Sequence, residues 1–450
     1  MLIIKSKLKN NLVISLLTLF AIVAGFNTMN ADFNKIKYEK EVLENGLEVI
    51  YHLDKSAPIV ATVIHYRVGS SDEVVGQTGY AHFFEHLMFE ATDNIPRATM
   101  DKHVLDAGGN LNAFTAFDQT VFHFKVPSNE IKLPLFIESQ RMRKLHVDSI
   151  GVETQRGVVL EELKQRTENR AYGSLLQKMM ENLFPGSGYG WSVIGLAKDI
   201  EKATIKNFQD FYKNFYQPNN ATLVIAGDFK IADAKEYARA YFGQYPKAEA
   251  PKRNKFELKD LEKGYEETIV DDKVQLPGVF LGFRGPAISH EDYFAVSMLT
   301  KVLAVGESSR FYRRLVSKEQ IALQTAAVPI VLQKSGLMLV YGICSPGNTP
   351  DDVKDMLLDE IDKVIEDGIT EAELQKVKNI TEVEFVEDKK DLMGKAQALA
   401  QYNSIYNNPD LINTEIDHFL DVTQEDIKRV AKKYFGSDKK VVLIYVPKGS

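Results

Sequence analysis

The sequence predicts a mixed α/β or α+β protein made of two similar domains, and three observations lead to this prediction. Patterns typical of strands alternate with patterns typical of helices along the whole chain, instead of forming separate blocks. A unit made of a helix and then a strand is found once in each half of the chain. A charge-rich segment with weak hydrophobic patterning, residues 247–263, lies between the halves and is typical of a linker.

The individual elements follow from turn residues and from the spacing of apolar residues. An Asn-Gly turn leads into a predicted strand within residues 45–52, and a second predicted strand, residues 60–68, ends at a Gly-Ser-Ser sequence. Helical spacing dominates residues 79–89, and a pair of strands rich in Phe and Thr follows within residues 110–126. Further along, the patterns predict helices over residues 159–183 and 206–215 and an apolar strand over residues 222–226.

The helix-then-strand unit is the evidence for duplication. In both copies a threonine can cap an amphipathic helix, two aromatic residues close the helix, and an apolar strand follows. The copies match at six positions with an offset of 219 residues: Thr204, Phe208, Phe211, Phe215, Tyr216 and Thr222 in the first, and Thr423, Ile427, Val430, Tyr434, Phe435 and Val441 in the second. Any helix followed by a strand shares part of this pattern, but the matched spacing favours two similar domains.

The composition excludes several classes of protein. The 450 residues are 44% hydrophobic, which is ample for folded cores and excludes wholesale disorder. The formal net charge of −7 and the lack of a sustained basic stripe disfavour nucleic acid as a partner. A single cysteine, Cys344, excludes an intrachain disulfide and a metal site built from cysteines.

The N-terminal segment resembles a secretory signal peptide. Lys5, Lys7 and Lys9 precede an apolar run over residues 12–26, and a small residue, Ala31, follows. The run is shorter than the roughly 20 residues of a comfortable transmembrane helix. An uncleaved membrane anchor is the alternative, because the residues before Ala31 form a poor cleavage site. Cleavage would remove three lysines and no acids and so take the net charge from −7 to −10.

We therefore expect a periplasmic or otherwise exported protein, which would be anchored to the membrane only if the signal is not cleaved. No stable membrane span is expected after its removal. The expected organisation is a signal peptide (1–31), an N-terminal domain (32–250), a linker (251–265) and a structurally similar C-terminal domain (266–450).

A His-x-x-Glu-His motif lies on the predicted helix at residues 79–89. His82 and His86 are four residues apart, so both imidazoles project from one face within reach of a single ion, and Glu85 lies on the same side. Apolar pairs at i,i+4 spacing would embed the helix in a core. Polar side chains on a buried helix are costly without a compensating partner, which a zinc ion supplies. The alternative is two partly exposed histidines with a salt-bridged glutamate.

A catalytic zinc site needs a third protein ligand and an open position for water. Adjacent glutamates on a helix point about 100° apart, so only one of Glu161 and Glu162 can face the ion. Periodicity alone does not choose between them. The candidate acids around this predicted helix are Glu153, Glu161, Glu162 and Glu168.

These residues and several other segments resemble the pitrilysin-type zinc peptidases, the inverzincin family that includes mitochondrial processing peptidase and insulin-degrading enzyme. The resemblance spans most of the chain and includes residues 45–47, 68–70, 79–89, 108–109, 112–115, 156–162 and 216–220. It implies a metallohydrolase of the processing-peptidase type, with an α+β fold of two similar domains. Each domain would be a mostly antiparallel sheet packed with helices, and only the N-terminal one would carry metal.

The resemblance also implies a zinc-dependent endopeptidase that hydrolyses peptides or unfolded polypeptides in a chamber between its two domains. The family places its third ligand 76 residues after the second histidine, and this spacing selects Glu162. His82, His86 and Glu162 are then expected to hold Zn²⁺, and Glu85 is expected to activate the zinc-bound water as general base.

Two further parts of the N-terminal half receive roles from the resemblance. One segment resembles the edge strand to which the family's substrates add as a further strand, with an ordinary buried strand as the alternative. Its residues are Asn112, Ala113, Phe114 and Thr115. Many members also have a glutamate seven residues before the third ligand, which helps to orient that ligand, and this chain has Gln155 there.

The C-terminal half departs from the family pattern. Active single-chain members have an Arg and a Tyr seven residues apart that reach the substrate carbonyl, whereas this chain has Val316 and Leu323. A homologous partner chain that has the Arg and the Tyr is expected to supply the pair, and a homodimer is the alternative assembly. The nearby arginines, which are consistent with ordinary solvated helix charges, are Arg310, Arg313 and Arg314.

Two alternative functions are open. A noncatalytic scaffold, or a partner subunit of a peptidase heterodimer, agrees with the missing Arg and Tyr but not with four intact polar residues in catalytic spacing. A zinc-binding or zinc-storage module would close the fourth position with another side chain, and no family ligand is left to do so.

Overall fold

A computed structural model describes residues 35–449, so the expected signal peptide (1–31) lies outside the described residues. The chain divides into residues 1–38 and 39–450, and every helix and strand described below belongs to the second unit. No helix within the described range is long and apolar enough to cross a membrane.

The first sheet has six strands. They are β1 (Glu39–Val42), β2 (Glu48–Leu53), β3 (Ile59–Tyr66), β4 (Asn110–Thr115), β5 (Thr120–Pro127) and β6 (Ala221–Gly227). Their order is β1-β2-β6-β3-β5-β4, so β4 is an edge strand that pairs with β5 alone. The β2–β6 pair is parallel and the other four pairs are antiparallel.

The second sheet has five strands. They are β7 (Tyr265–Asp271), β8 (Gly278–Gly285), β9 (Ala322–Val331), β10 (Gly336–Cys344) and β11 (Val441–Pro447). Their order is β7-β11-β8-β10-β9, with β9 at the edge that corresponds to β4 in the first sheet. Strand β11 is parallel to β7 and antiparallel to β8, as β6 is parallel to β2 and antiparallel to β3.

Helices cover both sheets. The first half has α1 (Tyr80–Leu87), α2 (Met100–Asp106), α3 (Lys132–Arg143), α4 (Ser149–Thr167), α5 (Leu175–Leu183), α6 (Ala197–Lys202), α7 (Ile205–Phe215) and α8 (Ile231–Phe242). The second half has α9 (Asp292–Ala304), α10 (Pro350–Asp367), α11 (Glu371–Glu387), α12 (Leu392–Tyr406), α13 (Leu411–Leu420) and α14 (Gln424–Val430). Short helical segments of 3₁₀ or π type occupy Ser70–Asp72, Ser128–Glu130, Pro218–Asn220, Tyr312–Lys318 and Ala431–Phe435.

The predicted duplication and the α+β class are confirmed. The predicted threonine caps are both present: Thr204 Oγ1 accepts a hydrogen bond from the backbone N–H of Asn207 (3.2 Å), and Thr423 Oγ1 accepts one from that of Asp426 (3.1 Å). These caps begin α7 and α14, and the strands that follow are β6 and β11, which occupy equivalent places in the two sheets.

The helical pattern predicted over residues 159–183 is two helices rather than one. Helix α4 ends at Thr167 and α5 begins at Leu175. Between them, Tyr172 has a φ of 59°, and a Cβ on Gly173 would lie 2.1 Å from the carbonyl oxygen of Thr167. The backbone N–H of Tyr172 donates to the Asp271 carboxylate (3.1 Å), so a contact with the second half fixes this break.

Each sheet packs against a helix from the other half of the chain. Buried side chains of α5, including Met179 and Leu183, share a core with β8 and β11. Helix α12 packs on β3 and β6 of the first sheet, where Asn403 Nδ2 donates to Thr222 Oγ1 (2.9 Å). Lys395 of α12 also pairs with Asp54 (2.6 Å). These crossed contacts fix the first sheet relative to the second.

Asp118, in the turn between β4 and β5, also joins the two halves. Its carboxylate accepts hydrogen bonds from Ser71 Oγ (3.0 Å), from Tyr189 Oη (2.9 Å) and from the backbone N–H of Gln333 in the β9–β10 turn (2.8 Å). Burial raises the pKa of this carboxyl. The contact fixes the end of edge strand β4 against the second sheet.

Candidate metal centre

Helix α1 carries the His-x-x-Glu-His motif and is anchored by its apolar face. Phe83, Phe84 and Leu87 are buried in the core of the first half. The ring of Phe83 lies 4.4 Å from that of Phe208 on α7, measured between centroids. With this face packed, the polar residues of the motif lie on the side of α1 that faces α4.

The start of α1 is fixed by a buried acid, Glu73. Its carboxylate accepts hydrogen bonds from the backbone N–H groups of Gly79 and Ala81 and from Trp191 Nε1, each at 2.8 Å. Burial raises the pKa of Glu73 to about 8, against the opposing effect of these donors. Gly79 has a φ of 84°, and a Cβ there would lie 2.5 Å from the carbonyl oxygen of Ile194, so only glycine is accommodated.

We expect Glu73→Gln to lower the free energy of unfolding by about 1–3 kcal/mol. A glutamine presents an NH₂ group where the carboxylate faced N–H donors, so at least one buried donor loses its partner. Urea denaturation at a fixed zinc concentration and at about pH 9, where the Glu73 carboxyl is ionised because the pH exceeds its pKa of about 8, measures the effect. Glu44→Gln, at an exposed site, is the matched control for the lost charge. Equal stability of the two variants would contradict this account of Glu73.

Helix α4 brings one glutamate of the adjacent pair to α1. Val159 and Leu163 are buried, and this orientation turns Glu162 toward the histidines. Glu161 is exposed and accepts a hydrogen bond from Gln165 Nε2 (3.1 Å). Periodicity alone does not tell which of these two acids faces the histidines. The packing of α4 turns Glu162 toward them and Glu161 toward solvent.

The two imidazoles and the Glu162 carboxylate converge on one point. Glu162 Oε2 lies 3.6 Å from His82 Nε2 and 3.3 Å from His86 Nε2. One ligand atom from each residue lies within 4.8 Å of the other two. In a tetrahedral zinc site the ligand atoms are about 3.3–3.6 Å apart, given zinc–ligand distances of about 2.0–2.2 Å. The spacing found here is close to that geometry.

The protonation states also suit a cation. Burial, and then the proximity of His86, lowers the pKa of His82 to about 4, so this ring is neutral and free to donate a lone pair. The hydrogen bond from His86 keeps the pKa of Glu162 below its usual value despite partial burial. Two imidazole nitrogens and one carboxylate oxygen are a donor set that zinc prefers, and three ligands leave a position open. The residues therefore fit a catalytic zinc ion.

The second oxygen of Glu162 has a different partner. Glu162 Oε1 pairs with the guanidinium of Arg166, one helical turn further along α4. Arg166 is exposed, whereas Glu162 is half-buried. The carboxylate is thus held between the histidine pair and an arginine.

Glu85 is oriented by the edge strand. Its Oε2 accepts a hydrogen bond from Thr115 Oγ1 (2.6 Å), and Thr115 is the last residue of β4. Burial raises the pKa of the Glu85 carboxyl above its ordinary value. One residue of the predicted substrate strand therefore contacts the predicted general base.

Strand β4 is exposed on one side, so the alternative of an ordinary buried strand does not hold. Asn112 and Phe114 are exposed, while Ala113 and Thr115 are half-buried. The backbone N–H of Ala113 donates to the side chain of Asn112 (2.8 Å). Because alternate residues of an antiparallel edge strand direct their N–H and C=O groups outward, Ala113 and Thr115 present main-chain groups at the free edge.

The other residues that the sequence suggested for this site, Gln155, Glu153 and Glu168, have other partners or face solvent. Gln155 Nε2 donates to Glu90 Oε1 (2.8 Å), and Glu90 also pairs with Arg97. The predicted effect of Gln155 on the third ligand stays a prediction. Glu153 pairs with Arg156 (3.1 Å). Glu168 is exposed.

The positions expected to hold an Arg and a Tyr do not provide them. Val316 packs against the core of the second half, and Leu323 is 55% exposed on β9. Arg310 and Arg314 are bound to acids of α11 and α10, at 2.8 and 2.7 Å. Arg313 is exposed. These arginines are in ion pairs or in solvent, as expected of ordinary helix charges.

Two residues of this site, Arg166 and Glu73, were not predicted from the sequence. Arg166 had a local signal, because a Glu and an Arg four residues apart on a helix commonly pair. Glu73 had none: it lies six residues before Gly79, and only the folded chain places it beneath the start of α1.

Two similar α+β halves, with a His-x-x-Glu-His helix and a glutamate from a distant helix in one of them, define the inverzincin class of zinc peptidases. Residues 48–195 match the family model described as Insulinase (Peptidase family M16), and residues 202–381 match the model described as Peptidase M16 inactive domain. The chain belongs to the M16 peptidase family, the pitrilysin-type family.

Relatives cover nearly the whole chain. The zinc protease PqqE of Helicobacter pylori is 28% identical over 423 residues, which are 93% of this chain and 95% of that protein. The mitochondrial-processing peptidase subunit beta of Lentinula edodes is 23% identical over 408 residues, 88% of this chain and 87% of the relative.

Solved structures agree with the fold. The crystal structure of a protease from Helicobacter pylori matches with a TM-score of 0.86 and 28% identity, covering 92% of this chain and 100% of that one. The first half of the periplasmic protease PqqL from Escherichia coli matches with a TM-score of 0.76 and 21% identity, covering 92% of each chain, and so shows the fold alone.

Proposed function

We propose that this chain is a zinc-dependent endopeptidase that hydrolyses peptides or unfolded polypeptides. The observation that carries the proposal is the convergence of His82, His86 and Glu162, with Glu85 on the same face of α1. Relatives named zinc proteases support it.

In this proposal His82, His86 and Glu162 hold Zn²⁺. The ion, when bound, supplies Lewis-acid polarisation of the scissile carbonyl and lowers the pKa of water. Glu85 accepts the proton of the attacking water and delivers it to the leaving amine. The hydrogen bond from Thr115 occupies one Glu85 oxygen and leaves the other for this transfer.

Edge strand β4 is proposed to bind the substrate through its main chain. An extended peptide that adds beside β4 pairs with the outward N–H and C=O groups of Ala113 and Thr115, and at the Ala113 N–H it replaces the Asn112 side chain. Asn112 and Phe114 belong to the same proposed binding segment. Because Thr115 also bonds to Glu85, the added strand is placed beside the general base.

We also propose the domain division expected from the sequence, with residues 32–250 and 266–450 facing one another across a chamber and residues 251–265 as the linker. The two sheets, at 39–227 and 265–447, support this division. Helices α5 and α12 are exceptions to this division, because each packs on the sheet of the other half.

The direct test is metal dependence. Purified chain is expected to contain about one zinc per molecule, to hydrolyse a quenched fluorescent peptide, to lose activity with 1,10-phenanthroline and to regain it with zinc. All three proposed zinc ligands come from one chain, so the purified chain is expected to contain zinc even without a partner. A protein that neither binds zinc nor cleaves any peptide would overturn the proposal.

A partner chain is proposed for the missing Arg and Tyr, because Val316 is in the core and Arg310 and Arg314 are engaged in ion pairs. The relative from Lentinula edodes is named as a subunit, which supports assembly with a second chain. Activity measured alone and with a homologous chain decides this. Full activity from a monomer would contradict a partner. Zinc binding without activity in either case would favour the noncatalytic scaffold.

Export is proposed on the N-terminal pattern, and the name of PqqL as a periplasmic protease supports it. Fractionation of cells, with the N-terminus of the purified protein sequenced, tests both the compartment and signal cleavage.

A further inference from the structure

A cavity of about 800 Å³ lies beside the candidate metal centre, between the end of α4 and the second sheet. Its lining includes Arg166 and Arg170 from the first half, and Gln324 and Tyr341 from β9 and β10. Arg166 also bonds to Glu162. The cavity therefore begins one arginine side chain away from the proposed third ligand.

The charged side chains that line the cavity are all positive. Arg166 and Arg170 line it, and no aspartate or glutamate is among the described residues of its lining. Arg166 is already paired with Glu162, whereas no hydrogen bond or ion pair of the Arg170 guanidinium is found within residues 35–449. The net charge of the whole chain is −7, so this positive cavity is a local exception.

The opposite wall is aromatic. Phe280 lies 5.3 Å from Tyr172 and 5.5 Å from Tyr341, measured between ring centroids. Gln324 Nε2 donates to the hydroxyl of Tyr341 (3.2 Å). The cavity thus combines a guanidinium that has no partner among the described residues with an aromatic surface, which suits an apolar side chain next to a carboxylate.

We propose that this cavity is a substrate pocket that selects an acidic residue, Asp or Glu, within a few residues of the scissile bond. The proposal rests on the proposed peptidase function. Arg170 forms the charge-assisted hydrogen bonds to the substrate carboxylate, and the aromatic wall contacts an adjacent apolar side chain. Arg166, engaged with Glu162, contributes positive potential.

The test uses zinc-loaded protein and three peptides that are identical except for Glu, Gln or Lys at one position, which is moved along each side of the scissile bond. At one position we expect kcat/KM for the Glu peptide to exceed that for the Gln peptide by about tenfold, with the Lys peptide lower still. Arg170→Gln should reduce this ratio to near one. Lys164→Gln, an exposed residue of α4 outside the lining, controls for the lost charge and should keep it.

Binding of the same peptides to the Glu85→Gln protein, measured by fluorescence anisotropy, separates this proposal from the proposed function. The same preference in binding, lost with Arg170→Gln, supports the pocket even if no peptide is hydrolysed. Hydrolysis with no preference for acidic peptides at any position, or a preference that Arg170→Gln leaves intact, would overturn the pocket while the peptidase function stands.

Discussion

Glu85→Gln is expected to reduce peptide hydrolysis by about 10²- to 10⁴-fold, the usual contribution of a general base. The amide is nearly isosteric and can still accept the hydrogen bond from Thr115 Oγ1. It cannot take a proton from water. Zinc content should stay unchanged, because Glu85 is not among the three converging side chains. Steady-state kinetics and elemental analysis of the same preparation measure both quantities.

Glu161→Gln is the matched control for this experiment. It makes the same chemical change on α4, at an exposed side chain that bonds only to Gln165 among the described contacts. Its activity should equal that of the unmodified chain. Near-normal turnover by Glu85→Gln would refute the assignment of Glu85 as the base.

Glu162→Ala is expected to lower zinc affinity by more than about 100-fold, because loss of a ligand should exceed the 10–100-fold cost of losing a residue that only supports one. Hydrolysis should fall with the metal. Glu161→Ala removes the adjacent carboxylate, which faces solvent, and should leave affinity unchanged. Competition with a zinc-sensitive dye measures both variants.

Thermal stability gives a second measure of zinc binding, and this measure does not depend on activity. A ligand that binds the folded state stabilises it by about 2.7 kcal/mol at a concentration 100 times its Kd. Zinc should therefore raise the Tm of the unmodified chain and of Glu161→Ala, but not that of Glu162→Ala at the same concentration. An equal rise in all three would mean that Glu162 is not a ligand.

The candidate metal centre shows where local sequence information is sufficient. The spacing of His82, Glu85 and His86 places them on one face of any helix, and the apolar residues between them fix which face is buried. The caps at Thr204 and Thr423 and the strands that follow could also be read from the sequence, because a repeat preserves local spacing. The prediction of an unbroken helical stretch over residues 159–183 was wrong. The break at Tyr172 depends on a contact with Asp271, about 100 residues away.

By itself, the sequence determined the two-domain α+β class and the helix with two histidines and a glutamate, since these depend on periodicity within a few turns. Residue periodicity left Glu161 and Glu162 equivalent, and only the packing of α4 shows which of them meets the histidines. Likewise, the Thr115–Glu85 bond, the edge position of β4 and the cavity beside Arg170 join segments tens to hundreds of residues apart. Such contacts follow from how sheets and helices pack, and nothing in the local spacing of residues encodes them.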